Sequence, residues 1–196
     1  AEPGPGDQRS RLDDRRGRTR APGPARGARG TDLARAEYAA APLSTLYLCG
    51  VGNAEGIRLA LRVNEALSRW QRIVLLDDDT ATHGMVKLGL PVSGAFDLLA
   101  QADARSDAVV NLVTRTTQGR ERARERIAAF GVPFASLVHP GVDVFGAELD
   151  AGVTVYHAAS IGAESRLGDA SVVLVGGVVG HGAQVGAGCV IAPGAV

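Results

Sequence analysis

The chain has 196 residues, enough for one ordinary domain or two small ones, and its 21 acidic and 21 basic residues cancel. That balance argues against a surface built for nucleic acid or an anionic membrane, and no apolar run reaches the ~18 residues of a membrane span. The N-terminal stretch lacks the apolar segment of a secretory signal, and Cys49 and Cys189 fall in unrelated segments, so the reading is a cytoplasmic protein with two free, buried thiols.

Residues 1–43 hold nine Arg against six acids, with six Gly, five Pro and one aromatic, Tyr38. So little apolar surface does not offset the entropy of ordering the segment, which is expected to be a disordered or spurious extension. Patterned sequence starts at Leu46, where LYLC runs into the Gly-rich turn GVGNAEG and then into helical spacing through Ile57, Leu59, Ala60, Leu61, Val63, Leu67 and Trp70. A second apolar strand, Ile73 to Leu76, ends in Asp77, Asp78 and Asp79. LGLPVSG reads as a short strand or turn, Ala95 to Ala102 as a helix, Ala108 to Val113 as a buried strand, and Gln118 to Phe130 as a charged helix closed by Gly131 and Pro133. Strand and helix alternate, which predicts a small Rossmann-like parallel α/β domain over residues 44–136.

In such a sheet, ligands sit beyond the carboxyl ends of the strands. The turn residues Gly50, Gly52 and Asn53 and the strand-end carboxylates Asp77 and Asp78 would share that rim. Backbone amides there would meet a phosphate and a carboxylate would take a ribose or base donor, so these five are the candidate substrate-binding residues. The glycine spacing differs by one residue from the dinucleotide fingerprint, and a tight turn or a solvated acidic loop would account for the same residues without a ligand.

From Leu149 the sequence repeats every six residues: LDAGVT, VYHAAS, IGAESR, LGDASV, VLVGGV, VGHGAQ, VGAGCV, IAPGAV. Each block opens on an aliphatic residue, and a small residue usually holds the fifth position. Neither a helix nor a strand has period six, whereas one short strand plus one corner does, with three blocks closing a triangular coil of a parallel β-helix. The β-helix is assigned to residues 137–196. The pattern is still in phase at Val196, which predicts a C-terminally truncated β-helix with an uncapped last coil.

The strand and Gly turn, the IVLLDDD strand end, the LVHPGV junction and the hexads VVGHGAQVGAGCVIAPGA together resemble one family, over about Leu46 to the end. It is the bacterial sugar acetyltransferases that include sialic acid O-acetyltransferases and N-acetyltransferases acting on UDP-linked amino sugars. The resemblance implies a homotrimer of left-handed β-helices, acetyl-CoA as acyl donor in the groove between neighbouring helices, a sugar or nucleotide-sugar acceptor on the N-terminal domain, and no metal. It places the catalytic general base on His181, at a hexad position that faces away from the prism. The donor-binding residues are not assignable, since the coils that supply much of that groove in the family would lie beyond Val196. Two departures stand out. Gly182 and Leu174 occupy positions where the family commonly has an acidic residue and an Asn, which would leave the imidazole without an orienting partner, and Asn53–Ala54 replaces the family's usual Gly-His. His139 reads as a junction residue and His157 as a surface residue without a role. The alternative functions are a non-catalytic nucleotide-sugar-binding or scaffold protein with a degenerate site, and another hexapeptide acyltransferase.

Overall fold

The computed structural model describes residues 43–196, so the arginine-rich extension lies outside the described residues. Strand β1 (Leu43–Cys49) runs into helix α1 (Ala54–Leu67), β2 (Trp70–Leu76), the short strands β3 (Val86–Lys87) and β4 (Leu90–Gly94), β5 (Ala108–Asn111) and helix α2 (Thr117–Ala128). They form one sheet in the order β3-β4-β2-β1-β5, parallel except for the edge pair β3–β4. Strand alternation divides the core in two: Leu46 and Leu48 pack with α1 residues Ile57, Ala60 and Val63 on one face, and Tyr47 and Cys49 pack with Ile127 of α2 and Phe96 on the other.

Two details of this domain differ from the sequence reading. Trp70 belongs to β2, because α1 ends at Ser68, which sits at φ 49°. Asn64 then accepts from the Trp70 amide (2.8 Å) and donates to its carbonyl (3.0 Å), turning the chain into the strand with side-chain atoms. The Ala95 to Ala102 segment is a 3-10 turn at Phe96–Gln101.

The rest of the chain is a stack of two-residue strands: β6 (Leu137–Val138), β7 (Glu148–Leu149), β8 (Thr154–Val155), β9 (Ser160–Ile161), β10 (Arg166–Leu167), β11 (Val172–Val173), β12 (Val178–Val179), β13 (Gln184–Val185) and β14 (Val190–Ile191). They sort into three parallel sheets, β7-β10-β13, β6-β8-β11-β14 and β9-β12. Within the repeat, pairs are eighteen residues apart, as in Glu148↔Arg166 and Thr154↔Val172, so three hexads make one coil. All eight block-opening aliphatics, from Leu149 to Ile191, fall in the interior cluster with Val153 and Ala183. Ser165 and Ser171, fifth in their blocks, are fully buried. Cys189, at the same position, is exposed, which corrects the expectation of two buried thiols; Cys49 is buried.

The sixth hexad position shows how the two units join. On the sheet β6-β8-β11-β14 the outward residues are Leu137, Thr154, Val172 and Val190, and Leu137, Val172 and Val190 pack into the α1-side core of the α/β domain. On β7-β10-β13 the same position holds Glu148, Arg166 and Gln184, facing water. Two polar links through buried side chains hold the join. Asn53 caps α1 by accepting from the Gly56 amide (3.0 Å), and its Nδ2 donates to the Tyr156 hydroxyl (2.8 Å) and the Leu112 carbonyl (3.2 Å). Tyr156 is itself buried, and a Cβ on Gly56 would meet its hydroxyl at 2.9 Å and Leu112 at 2.7 Å, so only glycine admits this approach.

The second link is buried Arg120, which donates to the carbonyls of Asn111 (2.9 Å), Val113 (3.2 Å) and, across the join, Ala170 (3.0 Å). Burial pushes its pKa down from the usual guanidinium value. Arg120→Met keeps the apolar stem but strands those carbonyls, and is expected to cost about 2–4 kcal/mol in urea unfolding.

Candidate functional site

Two regions carry the polar groups that sequence reading singled out. The first is a cavity of about 710 Å³ at the carboxyl ends of β1, β2 and β5, lined by Gly50, Val51, Gly52, Asn53, Asp77, Asp79, Thr82, Lys87, residues 112–116 and Gly119. Four of the five predicted substrate-binding residues therefore converge there. Asp78 does not line it. Successive residues at a strand end point to opposite faces, and the Asp78 carboxylate turns away to accept from the Phe96 amide (3.0 Å) and to pair with Arg126 (3.4 Å).

The cavity residues are largely committed to building the turn. Asp77 accepts from the Val51 amide (2.8 Å) and the Asp79 amide (2.9 Å), tying the end of β2 to the Gly turn. Gly50 donates to the Leu76 carbonyl (2.9 Å). Asn53, expected at the ligand, is spent on the cap and on Tyr156 as described above. Both helices begin at this rim, α1 after Asn53 and α2 after Thr116, whose hydroxyl accepts from the Gly119 amide (3.0 Å). Lys87 and Arg115, which sequence reading did not select, also line the cavity and make no ion pair among the described residues. Lys87 comes from the β3–β4 edge hairpin, and no motif marked it. The arrangement places two cations, Lys87 and Arg115, and two helix N-termini beside the Asp77 and Asp79 carboxylates at one end of a parallel sheet, so that phosphate-binding and hydroxyl-binding groups share one cavity.

The second region is the β-helix corner carrying His181. Its imidazole is exposed, with 73% of the side chain open, as its hexad position predicts. It is not without a partner: Nδ1 lies 2.8 Å from the Ala163 carbonyl oxygen, one coil below. A carbonyl only accepts, so Nδ1 is the donor in this bond, and in the neutral form of the ring Nε2 is then the acceptor. The expectation that Gly182 leaves the ring unoriented is thus corrected, because the orienting group comes from eighteen residues earlier in the chain. The Glu164 carboxylate stands 3.8 Å from Nε2. Beneath them, a Cβ on Gly162 would drive into the backbone of Gly180 and His181, so glycine sets the close stacking of these two coils.

At the join, the His139 and His157 rings lie 5.9 Å apart, and Arg58 of α1 donates to the His157 ring (3.2 Å). Burial, then His157, Arg58 and Arg62, pushes the His139 pKa below the usual histidine range. The folded chain favours neutral His139 and the unfolded chain takes up the proton first, so stability is kept above about pH 6.5 and lost as pH falls through it. His139→Gln is expected to flatten the pH dependence of the thermal midpoint between pH 7 and 5. Among the described residues no group of His, Cys, Asp or Glu is arranged to hold a metal ion, and no helix is long and apolar enough to cross a membrane.

A parallel β-helix of six-residue repeats fused to a parallel α/β domain is the frame of a hexapeptide-repeat acyltransferase. No protein-family model and no curated protein sequence matches the chain. Solved structures do. The acetyltransferase domain of PglB from Neisseria gonorrhoeae FA1090, in complex with acetyl coenzyme A, is 30% identical with a TM-score of 0.67, covering 78% of this chain and 72% of that one. A second structure of the same PglB domain aligns equally well, with 30% identity and a TM-score of 0.67 over 76% of this chain and 71% of that one. PerB from Caulobacter crescentus, in complex with CoA and GDP-perosamine, shares the fold at 22% identity and a TM-score of 0.62, over 76% of this chain and 70% of that one. The chain belongs to the hexapeptide-repeat sugar acetyltransferases, and it is an acyltransferase.

Proposed function

We propose that this chain transfers the acetyl group of acetyl-CoA to an amino or hydroxyl group of a sugar nucleotide, with His181 as general base. The observation that carries the reading is the Nδ1–H bond to the Ala163 carbonyl at 2.8 Å, which leaves Nε2 as the proton acceptor. The acceptor's nitrogen or oxygen attacks the thioester carbonyl carbon while its proton passes to Nε2. Collapse of the tetrahedral species breaks the C–S bond, and the proton on Nε2 is available to the departing CoA sulfur. The PglB domain's bound acetyl coenzyme A supports this donor, and GDP-perosamine in PerB supports a nucleotide-linked sugar as acceptor.

In this reading residues 44–136 form a Rossmann-like nucleotide-sugar domain and residues 137–196 belong to a left-handed β-helix. Gly50, Gly52 and Asp77 edge the acceptor cavity, Asn53 shapes it, and the cations of Lys87 and Arg115 meet the diphosphate. In the homotrimer, His181 faces the groove between neighbouring helices.

His181→Ala is expected to lower acetyl transfer from acetyl-CoA to a UDP-linked amino sugar or GDP-perosamine by about 100-fold or more, with the mass by light scattering unchanged. Turnover equal to the parent's overturns the assignment, and acceptor binding by calorimetry without any transfer by the parent favours a non-catalytic binding protein. Lys87→Ala is expected to raise KM for the nucleotide sugar severalfold and to leave KM for acetyl-CoA alone, measured in steady-state assays at fixed ionic strength.

A further inference from the structure

We propose that Glu164 is the acidic partner of His181, supplied by the coil below instead of by the residue that follows the histidine. This rests on His181 being the base. Two independent observations carry it.

The first is geometric. Ala163 and Glu164 are adjacent, and between them they address both edges of the imidazole: the Ala163 carbonyl holds Nδ1 at 2.8 Å, and the Glu164 carboxylate lies 3.8 Å from Nε2. Glu164 makes no other ion pair among the described residues, and the neighbouring Arg166 is engaged by Asp150 (3.0 Å) and Glu148 (3.9 Å). The carboxylate is therefore available to the groove and to the ring. Once Nε2 has taken the acceptor's proton, the nearest formal negative charge to the imidazolium is this one.

The second is the backbone. Glu164 adopts φ 60°, the left-handed conformation of a hexad corner. The corners directly below and above it, Gly146 and Gly182, are glycines at φ 78° and 67°, and its own amide donates to the Gly146 carbonyl (2.7 Å). Where the described hexads place another residue in this conformation it is alanine, Ala158 or Ala170. The coil holds this fourth position left-handed at every corner, where glycine fits best, and the corner beside His181 nevertheless carries a long charged side chain. Gly182 carries no side chain, so nothing from the residue after the histidine competes for this place.

Glu164 acts through His181 and is a positioning residue. It holds the protonated ring by charge and leaves the donor thioester untouched. The test uses the full chain with acetyl-CoA and a UDP-linked amino sugar or GDP-perosamine, in the parent, Glu164→Gly, Glu164→Gln and the relocated variant Glu164→Gly with Gly182→Glu. Expected are a tenfold or larger fall in kcat for Gly and Gln alike, unchanged KM for acetyl-CoA, and a thermal midpoint for Glu164→Gly at or above the parent's, since glycine suits that corner. Recovery of at least part of kcat is expected when the carboxylate returns at 182. Turnover of Glu164→Gly within twofold of the parent overturns the proposal, and so does a fall in kcat that Gln fully restores or a lowered thermal midpoint that accounts for the loss. If His181→Ala is as active as the parent, it is the assignment of the base that has failed, and the two failures are told apart.

Discussion

The eighteen-residue register of the coil is the constraint on which the β-helix and its candidate site depend. Strands in the repeat pair with the strand three hexads on, so a residue's neighbours in space are fixed by its position within the hexad and by its coil, not by what lies beside it in sequence. Opening positions stack into an apolar column inside the prism. Third positions stack outward, and this sets His181 over Ala163. Fourth positions stack at the left-handed corner, where Glu164 lies between two glycines. A site of this kind needs no long-range folding of loops. It needs the right residue types at matching positions of consecutive coils, with small residues such as Gly162 to keep the coils close.

The same register presents a wall to the α/β domain. Leu137, Val172 and Val190 enter its core from the outer face of β6-β8-β11-β14, and the polar links through buried Tyr156 and Arg120 join them there. Asn53 belongs to both regions, since it caps α1 beside the cavity and donates to Tyr156 of the coil. The turn that lines the α/β cavity is therefore held against the β-helix by the atoms that start α1.

Much of this was legible in the sequence. The period of six identified the β-helix and its eight block-opening aliphatics, though not the interior Val138, Val142 and Val153, and the strand–turn–helix alternation identified the parallel sheet and the rim where Gly50, Gly52 and Asp77 gather. What escaped were matters of direction and of distant pairing. Asp78 faces away because strand ends alternate, and the run of three aspartates does not say which one looks inward. Trp70 fits a helical spacing, yet Asn64 captures its backbone and starts a strand. The partner of His181 was sought at Gly182, its sequence neighbour, while the coil delivers Ala163 and Glu164. Lys87 comes to the cavity on an edge hairpin whose sequence carries no motif. The sixth hexad position, apolar in Val172 and Val190 but charged or polar in Arg166 and Gln184, was a readable sign of which face is covered.

That covered face bears on how the solenoid holds together over time. In a free-standing solenoid each coil is secured only by the coils above and below, so terminal turns open one at a time and the stack frays like a zipper. Here successive coils also grip a common side wall through Leu137, Val172 and Val190. Peeling back one turn exposes part of the α/β core as well as its own, which couples openings that would otherwise be independent. The stack thereby approaches a single cooperative unit, and the corner carrying His181 shares the opening free energy of the globular domain beside it.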